Sequence, residues 1–357
     1  MRAWARGSAG FTPARALGLC GVFLVLLAVA FVMATCFGDE AISLRRGFFG
    51  TPSPENADAV IFWAVRLPRV LLAAIVGAGL AASGSTLQGV LRNPLADPFV
   101  LGVSGGAALG ATIALALGLA TVDAVTPGLW GGLARLSAPA LFAFLGAGGA
   151  MAFVLVTSRG HGGRAPYAAL LTGVVFNAFA SAAITVIKTL SGPYRLGEIL
   201  NWLVGTLGIE DLSTLALSAL LQAAAIGVMM ALSGQLNLLT LGDEDAASLG
   251  VPVARTRVWL LLAASASVAG AVSLSGLVGF VGLMVPHLLR LAFGPDQRLL
   301  VPLSALGGAV FLMLADLLAR VVSPLFGGGL AVGAVTVVLG GPLFLLLLYR
   351  QGRLTVG

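Results

Sequence analysis

Long runs without charged side chains recur along almost the whole chain, and this pattern limits what the chain can fold into. An α-helix needs about 20 consecutive apolar residues to cross the hydrocarbon core of a bilayer. Ten runs reach or approach that length: 16–37, 70–91, 99–122, 138–158, 167–187, 212–236, 258–275, 276–289, 299–315 and 330–349. The pattern predicts an all-α polytopic membrane protein with about ten transmembrane helices.

Composition supports a single transmembrane domain over residues 1–357. Only 10% of the residues are charged, whereas a soluble domain has about 25%. The net charge of +6 comes from basic residues scattered between the apolar runs, so it does not indicate a nucleic-acid surface. The two cysteines and two histidines lack metal-ligand spacing. We therefore expect neither a metal site nor a cofactor bound by this chain.

The charge distribution predicts an orientation. An even number of spans places both termini on the same side of the membrane. If that side is the cytoplasm, twelve of the twenty lysines and arginines lie in cytoplasmic segments. Basic residues concentrate in the cytoplasmic loops of membrane proteins. We therefore expect both termini in the cytoplasm, with residues 1–15 as a cytoplasmic N-terminal segment.

Short motifs between Arg66 and Gly110 are more specific than hydropathy. They read RLPR, SGSTLQ, RNPLADP and LGVSGGA, and further motifs follow at 241–250 (LGDEDAASLG), 276–290 (GLVGFVGLMVPHLLR) and 315–320 (ADLLAR). In this order and spacing they resemble the FecCD family, the permease subunits of type II ATP-binding-cassette (ABC) importers for cobalamin, haem and ferric siderophores. The resemblance implies an inner-membrane homodimer that works with two ATPase subunits and with a periplasmic or lipid-anchored substrate-binding protein.

Three arginines are candidates for docking the binding protein. Arg66 and Arg69 flank Pro68, a spacing that suits the first turn of a helix and directs both side chains to one face. The resemblance implies that these two arginines and Arg320 receive carboxylates of the binding protein. The alternatives are that Arg66 and Arg69 anchor the helix at the lipid head groups, and that Arg320 pairs with Asp316 four residues earlier.

Residues 236–257 form the longest connection that has a helical pattern of its own. Gly242 and Asp243 suit a turn and N-cap, acidic residues follow, and Gly250 suits the end of the helix. The resemblance implies a cytoplasmic coupling helix that docks on the ATPase; the alternative is a solvated connector. The residues assigned to coupling are Leu241, Gly242, Asp243, Glu244, Ala247, Leu249 and Gly250.

The RNPLADP segment predicts a tight turn, because two prolines separate one helix from the next and Asn93 favours a turn. Without the resemblance this is only a hairpin. The resemblance implies that the turn closes the pathway toward the cytoplasm together with the connection before the fifth span. The gate residues are then Asn93, Leu95, Pro166 and Tyr167.

Polar residues inside the predicted spans are few. Gln88, Asn177 and Ser181 would cost free energy facing lipid, so we expect them to point inward or across to another helix. Interhelical hydrogen bonding is favoured over substrate contact for all three.

The sequence carries no catalytic signature, so the chain is not expected to be an enzyme. Its single lysine, Lys188, has no glycine-rich loop before it, and the Walker A phosphate-binding motif is therefore missing. ATP and magnesium are expected on the partner ATPase. The resemblance implies import of a bulky metal chelate from periplasm to cytoplasm, with haem or a ferric siderophore favoured over cobalamin. The alternative is an ion- or proton-coupled secondary transporter, which usually holds an acidic residue deep in a span; Asp316 is the candidate.

Overall fold

A computed structural model describes residues 12–38, 40, 42–119, 137–158 and 165–355. These ranges contain helices and no β-strand. The helices are α1 Pro13–Cys36, α2 Leu44–Phe49, α3 Ala57–Val90, α4 Val103–Ala116, α5 Ala138–Ser158, α6 Ala165–Leu190, α7 Pro193–Val204, α8 Leu212–Ala231, α9 Ser233–Leu241, α10 Asp243–Ser248, α11 Val253–Ser275, α12 Val281–Phe293, α13 Gln297–Val322 and α14 Val332–Thr355. Short 3-10 turns occupy Pro98–Leu101 and Ser323–Phe326.

Ten of the described helices match the predicted apolar runs. Seven of them are long and apolar enough to cross a membrane, namely α1, α3, α5, α6, α8, α11 and α13. Three shorter apolar helices, α4, α12 and α14, bring the number in this part of the chain to ten. The predicted all-α polytopic fold is confirmed, and the break between the seventh and eighth spans lies where expected, since α11 ends at Ser275 and α12 begins at Val281.

Helix α3 is the centre of the bundle and packs against α8, α11, α12 and α13. Two glycine contacts show how closely these helices approach. A Cβ atom on Gly77 would lie 2.2 Å from the carbonyl oxygen of Gly308 in α13, and one on Gly84 would lie 1.7 Å from that of Gly282 in α12. Lipid supplies no hydrophobic drive between helices, so close backbone packing at small residues holds such bundles together.

The start of α3 differs from the sequence prediction. The regular α-helical segment begins at Leu67 with Pro68 in its first turn, as predicted, but the helix as a whole begins at Ala57, nine residues before Arg66. The stretch Ile61–Arg66 is π-helical, and the Leu67 N–H donates to the carbonyl of Phe62. Proline lacks an N–H and its ring collides with the carbonyl of the preceding turn, and a π-turn is one way for a helix to make room. Arg66 therefore lies inside a widened helix.

Candidate functional site

Four charged residues meet near the N-terminal part of α3, and we call them the α1-end cluster: Arg66, Arg69, Asp316 and Arg320. Asp316 in α13 is fully buried. Its Oδ1 accepts a hydrogen bond from Arg69 Nε and its Oδ2 accepts one from Arg320 Nε, both at 2.9 Å. One carboxylate is thus shared by two guanidinium groups from different helices.

Two arginines of this cluster also cap the end of α1. The second guanidinium edge of Arg320 donates to the carbonyls of Ala34 and Phe37 at 2.8 and 3.1 Å. Arg66 donates to the carbonyls of Thr35 and Cys36 at 3.2 and 2.9 Å, and also to that of Glu40. The last carbonyls of a helix lack intrahelical partners and carry the negative end of its dipole. Arg66 and Arg320 therefore supply hydrogen-bond donors to the free carbonyls at the end of α1 and compensate the negative end of its dipole.

Burial divides the three arginines assigned to docking. Arg66 is 3% exposed and Arg320 is 6% exposed, whereas 26% of the Arg69 side chain is exposed. The pairing of Arg320 with Asp316, the alternative raised by their spacing, is present. Docking stays a prediction for all three residues, and Arg69 is the member of the α1-end cluster whose side chain reaches the surface.

A second cluster lies at the other end of α3, and we call it the turn cluster: Arg92, Asp243 and Arg257. Asp243 Oδ1 accepts hydrogen bonds from Arg257 Nη2 at 2.7 Å and from Arg92. The Arg92 Nε also donates to the carbonyl of Leu239 at 2.8 Å. These contacts join the turn after α3 to the end of α9, the start of α10 and the start of α11.

The turn cluster contains a carboxyl with a lowered pKa and a residue with an uncommon backbone conformation. Burial disfavours the charged form of Asp243, but the hydrogen bonds and charges of Arg257 and Arg92 outweigh it and hold the pKa of this carboxyl below its usual value. Arg92 has a φ of +50°, which is uncommon for a residue with a side chain. The structure holds the turn in this conformation through the bonds that the Arg92 side chain makes.

Helix α10 occupies the position predicted for the coupling helix. Gly242, with a φ of +147°, is its N-cap, and Asp243, Glu244 and Asp245 fill the first turn. Acidic side chains there complement the positive end of the helix dipole. Ala246 is buried and anchors the helix, and the side chains exposed around it are Leu241, Glu244, Asp245, Ala247, Ser248 and Leu249. The coupling role of this helix stays a prediction, with the solvated connector as its alternative.

The residues assigned to the gate lie in two separate places. Asn93 Oδ1 accepts a hydrogen bond from the Leu95 N–H at 2.9 Å, which closes the turn, and Leu95 is exposed. Pro166 lies in the first turn of α6, and the adjacent Tyr167 is exposed. The gating role of these residues stays a prediction.

Asp97 caps the 3-10 turn that follows the RNPLADP prolines. Its Oδ1 accepts from the Phe99 N–H at 2.8 Å. Burial raises the pKa of Asp97 to about 6, and the hydrogen bond from Phe99 limits the rise. This carboxyl therefore changes charge close to neutral pH.

The polar residues within the spans behave in two ways. Gln88 donates to the carbonyl of Leu283 at 3.2 Å and accepts from Arg290 at 2.9 Å, both in α12, so the interhelical bonding expected of it is present. Asn177 donates to the carbonyl of Phe99 at 2.6 Å. Ser181 is exposed in the single chain, so its orientation inward or toward another helix stays a prediction.

Sequence reasoning missed the charged and amide residues that tie the ends of α9, α11 and α13 together. Asn237 donates to Asp296 Oδ1 at 2.7 Å and accepts from the Gln297 N–H at 2.8 Å. Arg92 stood inside a recognised motif, but its partner Asp243 is 151 positions away. A single sequence gives no signal for a pairing over that separation.

The family model described as the FecCD transport family matches residues 26–350. The chain belongs to this family. It is 40% identical over 339 residues to a hemin transport system permease of Yersinia pestis, covering 93% of this chain and 96% of that protein. It is 38% identical over 333 residues to a vitamin B12 import system permease of Vibrio vulnificus, covering 92% and 93% of the two chains.

The structural comparison points the same way. A solved structure described as a metal-chelate type ABC transporter in an inward-facing conformation matches with a TM-score of 0.79 and 30% identity, over 95% of this chain and all of that one. The predicted family and the predicted role as a permease subunit of an ABC importer are therefore confirmed. Membership implies a multi-pass protein of the inner membrane that works with an ATPase and a substrate-binding protein.

Proposed function

We propose that two copies of this chain form a homodimeric permease that moves a bulky metal chelate from periplasm to cytoplasm. Two ATPase subunits bind at the end that carries α10, and one binding protein binds at the end that carries the α1-end cluster. Haem or a ferric siderophore is favoured and cobalamin is the further candidate, since relatives are named for hemin, ferric dicitrate and vitamin B12. ATP and magnesium bind on the ATPase, and this chain hydrolyses nothing.

The observation that carries the proposal is the direct link between α10 and the turn after α3. Asp243, the first residue of α10, bonds to Arg92 of that turn. Arg92 in turn bonds to the last turn of α9, next to the exposed Leu241. A displacement of α10 by the ATPase therefore reaches the turn through charged hydrogen bonds, which are the stronger kind. The turn contains Asn93 and Leu95, the residues assigned to the gate.

The proposed orientation, with both termini in the cytoplasm, is supported by which residues share an end of the bundle. Arg15, near the start of α1, donates to the carbonyl of Phe293 at the end of α12 at 3.2 Å. The next connection reaches Asp296, which bonds to Asn237 of α9. The start of α1 thus lies at the α10 end, where basic residues are frequent, and the positive-inside rule assigns this end to the cytoplasm.

The secondary-transporter alternative depends on Asp316, and the structure speaks against it. A proton or ion site must exchange its ligand during transport. Both Asp316 oxygens are already bonded to arginines, and the residue is fully buried. We therefore assign Asp316 a structural role in the α1-end cluster.

Uptake into proteoliposomes that contain the permease, its ATPase and its binding protein tests the proposal. We expect uptake of the chelate to require ATP inside the vesicles and to persist when ionophores collapse proton and sodium gradients. Binding protein loaded in turn with haem, a ferric siderophore and cobalamin identifies the substrate. Uptake that follows an ion gradient without ATP would overturn the importer mechanism.

A further inference from the structure

A cavity of about 310 Å³, lined by both apolar and polar groups, lies beside the turn cluster, among the ends of α3, α9, α12 and α13. A water molecule occupies about 30 Å³, so the cavity has room for a polyatomic group. The polar residues of its lining are Gln88, Arg92, Thr240, His287, Arg290 and Gln297. None of the predicted docking, coupling or gating residues lines it.

Arg290 brings a positive charge to this cavity without a carboxylate to balance it. The side chain is partly buried, and its Nη2 donates to Gln88 Oε1 at 2.9 Å. Among the described residues Arg290 forms no ion pair. A neutral amide satisfies one of its five N–H groups, but withdrawing a charge from water is costly unless an opposite charge compensates. The cavity therefore favours an anion.

The neighbouring acidic residues do not supply that anion. Asp243 does not line the cavity and is already shared by Arg92 and Arg257, so it does not balance the charge of Arg290. Asp296, near Gln297, accepts hydrogen bonds from Arg298 and Asn237. The excess of positive charge remains after every described ion pair is counted.

We propose that this cavity binds a phosphate group. Guanidinium groups bind phosphate oxygens with paired, charge-assisted hydrogen bonds, and Arg92 and Arg290 approach the cavity from two different elements. The cavity lies where α3 and α12 end, the level at which lipid head groups meet a membrane protein. Basic pockets between transmembrane helices on the cytoplasmic side bind anionic head groups. The phosphate comes from an anionic phospholipid or from free inorganic phosphate.

Thermal unfolding of the full-length protein tests this site and separates the two sources. One arm uses protein in detergent with sodium phosphate, compared with sodium chloride and sodium acetate at equal ionic strength. The other arm uses nanodiscs of phosphatidylcholine with or without phosphatidylglycerol. We expect phosphate, phosphatidylglycerol or both to raise the unfolding temperature of the wild type. Arg290→Gln should weaken the response about tenfold or more in ligand concentration, as expected for the loss of a charge-assisted pair.

Arg298→Gln is the matched control. Arg298 belongs to the same end of the molecule, but its side chain is 47% exposed and pairs with Asp296. The control should respond like the wild type. A response to phosphatidylglycerol alone assigns the cavity to a lipid head group, and a response to inorganic phosphate assigns it to the free ion.

Three results would overturn the proposal: no response in either arm, an equal response in Arg290→Gln, or an acetate or chloride effect as large as that of phosphate. If Arg290→Gln does not fold, Arg290→Lys keeps the charge and loses the planar pair of donors. The lysine variant should then need severalfold more phosphate or phosphatidylglycerol, and an unchanged dose response would count against the site equally.

Discussion

The α1-end cluster and the turn cluster are built from the same parts, arginines around one aspartate, at opposite ends of α3. They differ in access to water. Asp316 is fully buried, with each oxygen bonded to a different arginine. The side chain of Asp243 is 21% exposed, and one of its oxygens takes both arginines.

We infer from this difference that the α1-end cluster is a fixed joint, whose ion pairs do not exchange, and that the turn cluster is a movable joint, whose ion pairs can exchange. Breaking a buried ion pair leaves an uncompensated charge out of water, so the arrangement around Asp316 has no alternative of similar free energy. Water can partly replace a lost partner at Asp243, so its pairs can be exchanged at a lower cost than those of Asp316. The first cluster joins the end of α1 to α3 and α13, and the second joins two short helices to a turn.

The largest expected effect is that of removing the buried carboxylate. Asp316→Asn leaves Arg69 and Arg320 with a neutral partner, and we expect a loss of about 3–5 kcal/mol in stability, as for other broken buried pairs. Thermal unfolding in detergent and the yield of folded protein measure it. Asp58→Asn is the control, because Asp58 pairs with the exposed Arg46 at 3.2 Å and should change stability by less than about 1 kcal/mol. Equal stability of both variants would contradict the fixed-joint interpretation.

The next effect concerns coupling. Asp243→Asn should leave the fold intact and lower ATP-driven uptake about tenfold, because hydrogen bonds to charged groups contribute about 1.5–3 kcal/mol. ATP hydrolysis by the assembled transporter should fall much less, so the number of ATP molecules used per chelate rises. Asp245→Asn alters an exposed acidic neighbour in the same helix that is not among the residues assigned to coupling, and it should keep both rates. Parallel losses of uptake and hydrolysis in Asp243→Asn would show that the residue serves assembly and not transmission.

Much of the fold could be predicted from the sequence. Hydropathy alone located the ten apolar helices, and the glycines around LGDEDAASLG located α10, because spans and turns depend on local composition. The pairing of Asp316 with Arg320 was open as an alternative from their spacing of four residues, which places both on one face of a helix.

Less of the candidate site, that is, of the α1-end cluster and the turn cluster, could be predicted from the sequence. The division of three arginines into two buried caps and one partly exposed side chain depends on where the end of α1 lies against α3 and α13, which hydropathy does not encode. The π-turn before Pro68 and the pairing of Arg92 with Asp243 also arise from tertiary packing. The proline signalled a helix start, and the structure accommodates it inside a longer helix.

A smaller effect, on the pH dependence of stability, is expected from Asp97, which follows the turn cluster residue Arg92 by five positions. Because its pKa is raised to about 6, the folded state binds the proton more tightly than the unfolded state. Its contribution is fully present below the unfolded pKa of about 3.9 and is lost as pH rises through 6. The unfolding temperature should therefore fall between pH 4 and 7, by the equivalent of about 2 kcal/mol. Asp97→Asn keeps the acceptor for Phe99 and should remove this fall, whereas matching pH profiles would exclude Asp97 as the cause.

The smallest effect is expected at the surface of the α1-end cluster, and it tests docking. Arg69→Gln removes the charge that reaches the surface, while the glutamine amide can still donate to Asp316, which also keeps its bond to Arg320. Association is therefore compared on variant protein whose folding has been checked by thermal unfolding, and exposed charges at an interface act mainly on the association rate. We expect association with the binding protein to slow a few-fold at low salt, with the difference disappearing at high salt. Arg45→Gln, an exposed arginine of α2, is the control for net charge. If Arg66→Gln slows association as much as Arg69→Gln at unchanged stability, the buried arginine is available to the partner, and the contrast between the two clusters is weaker than the structure indicates.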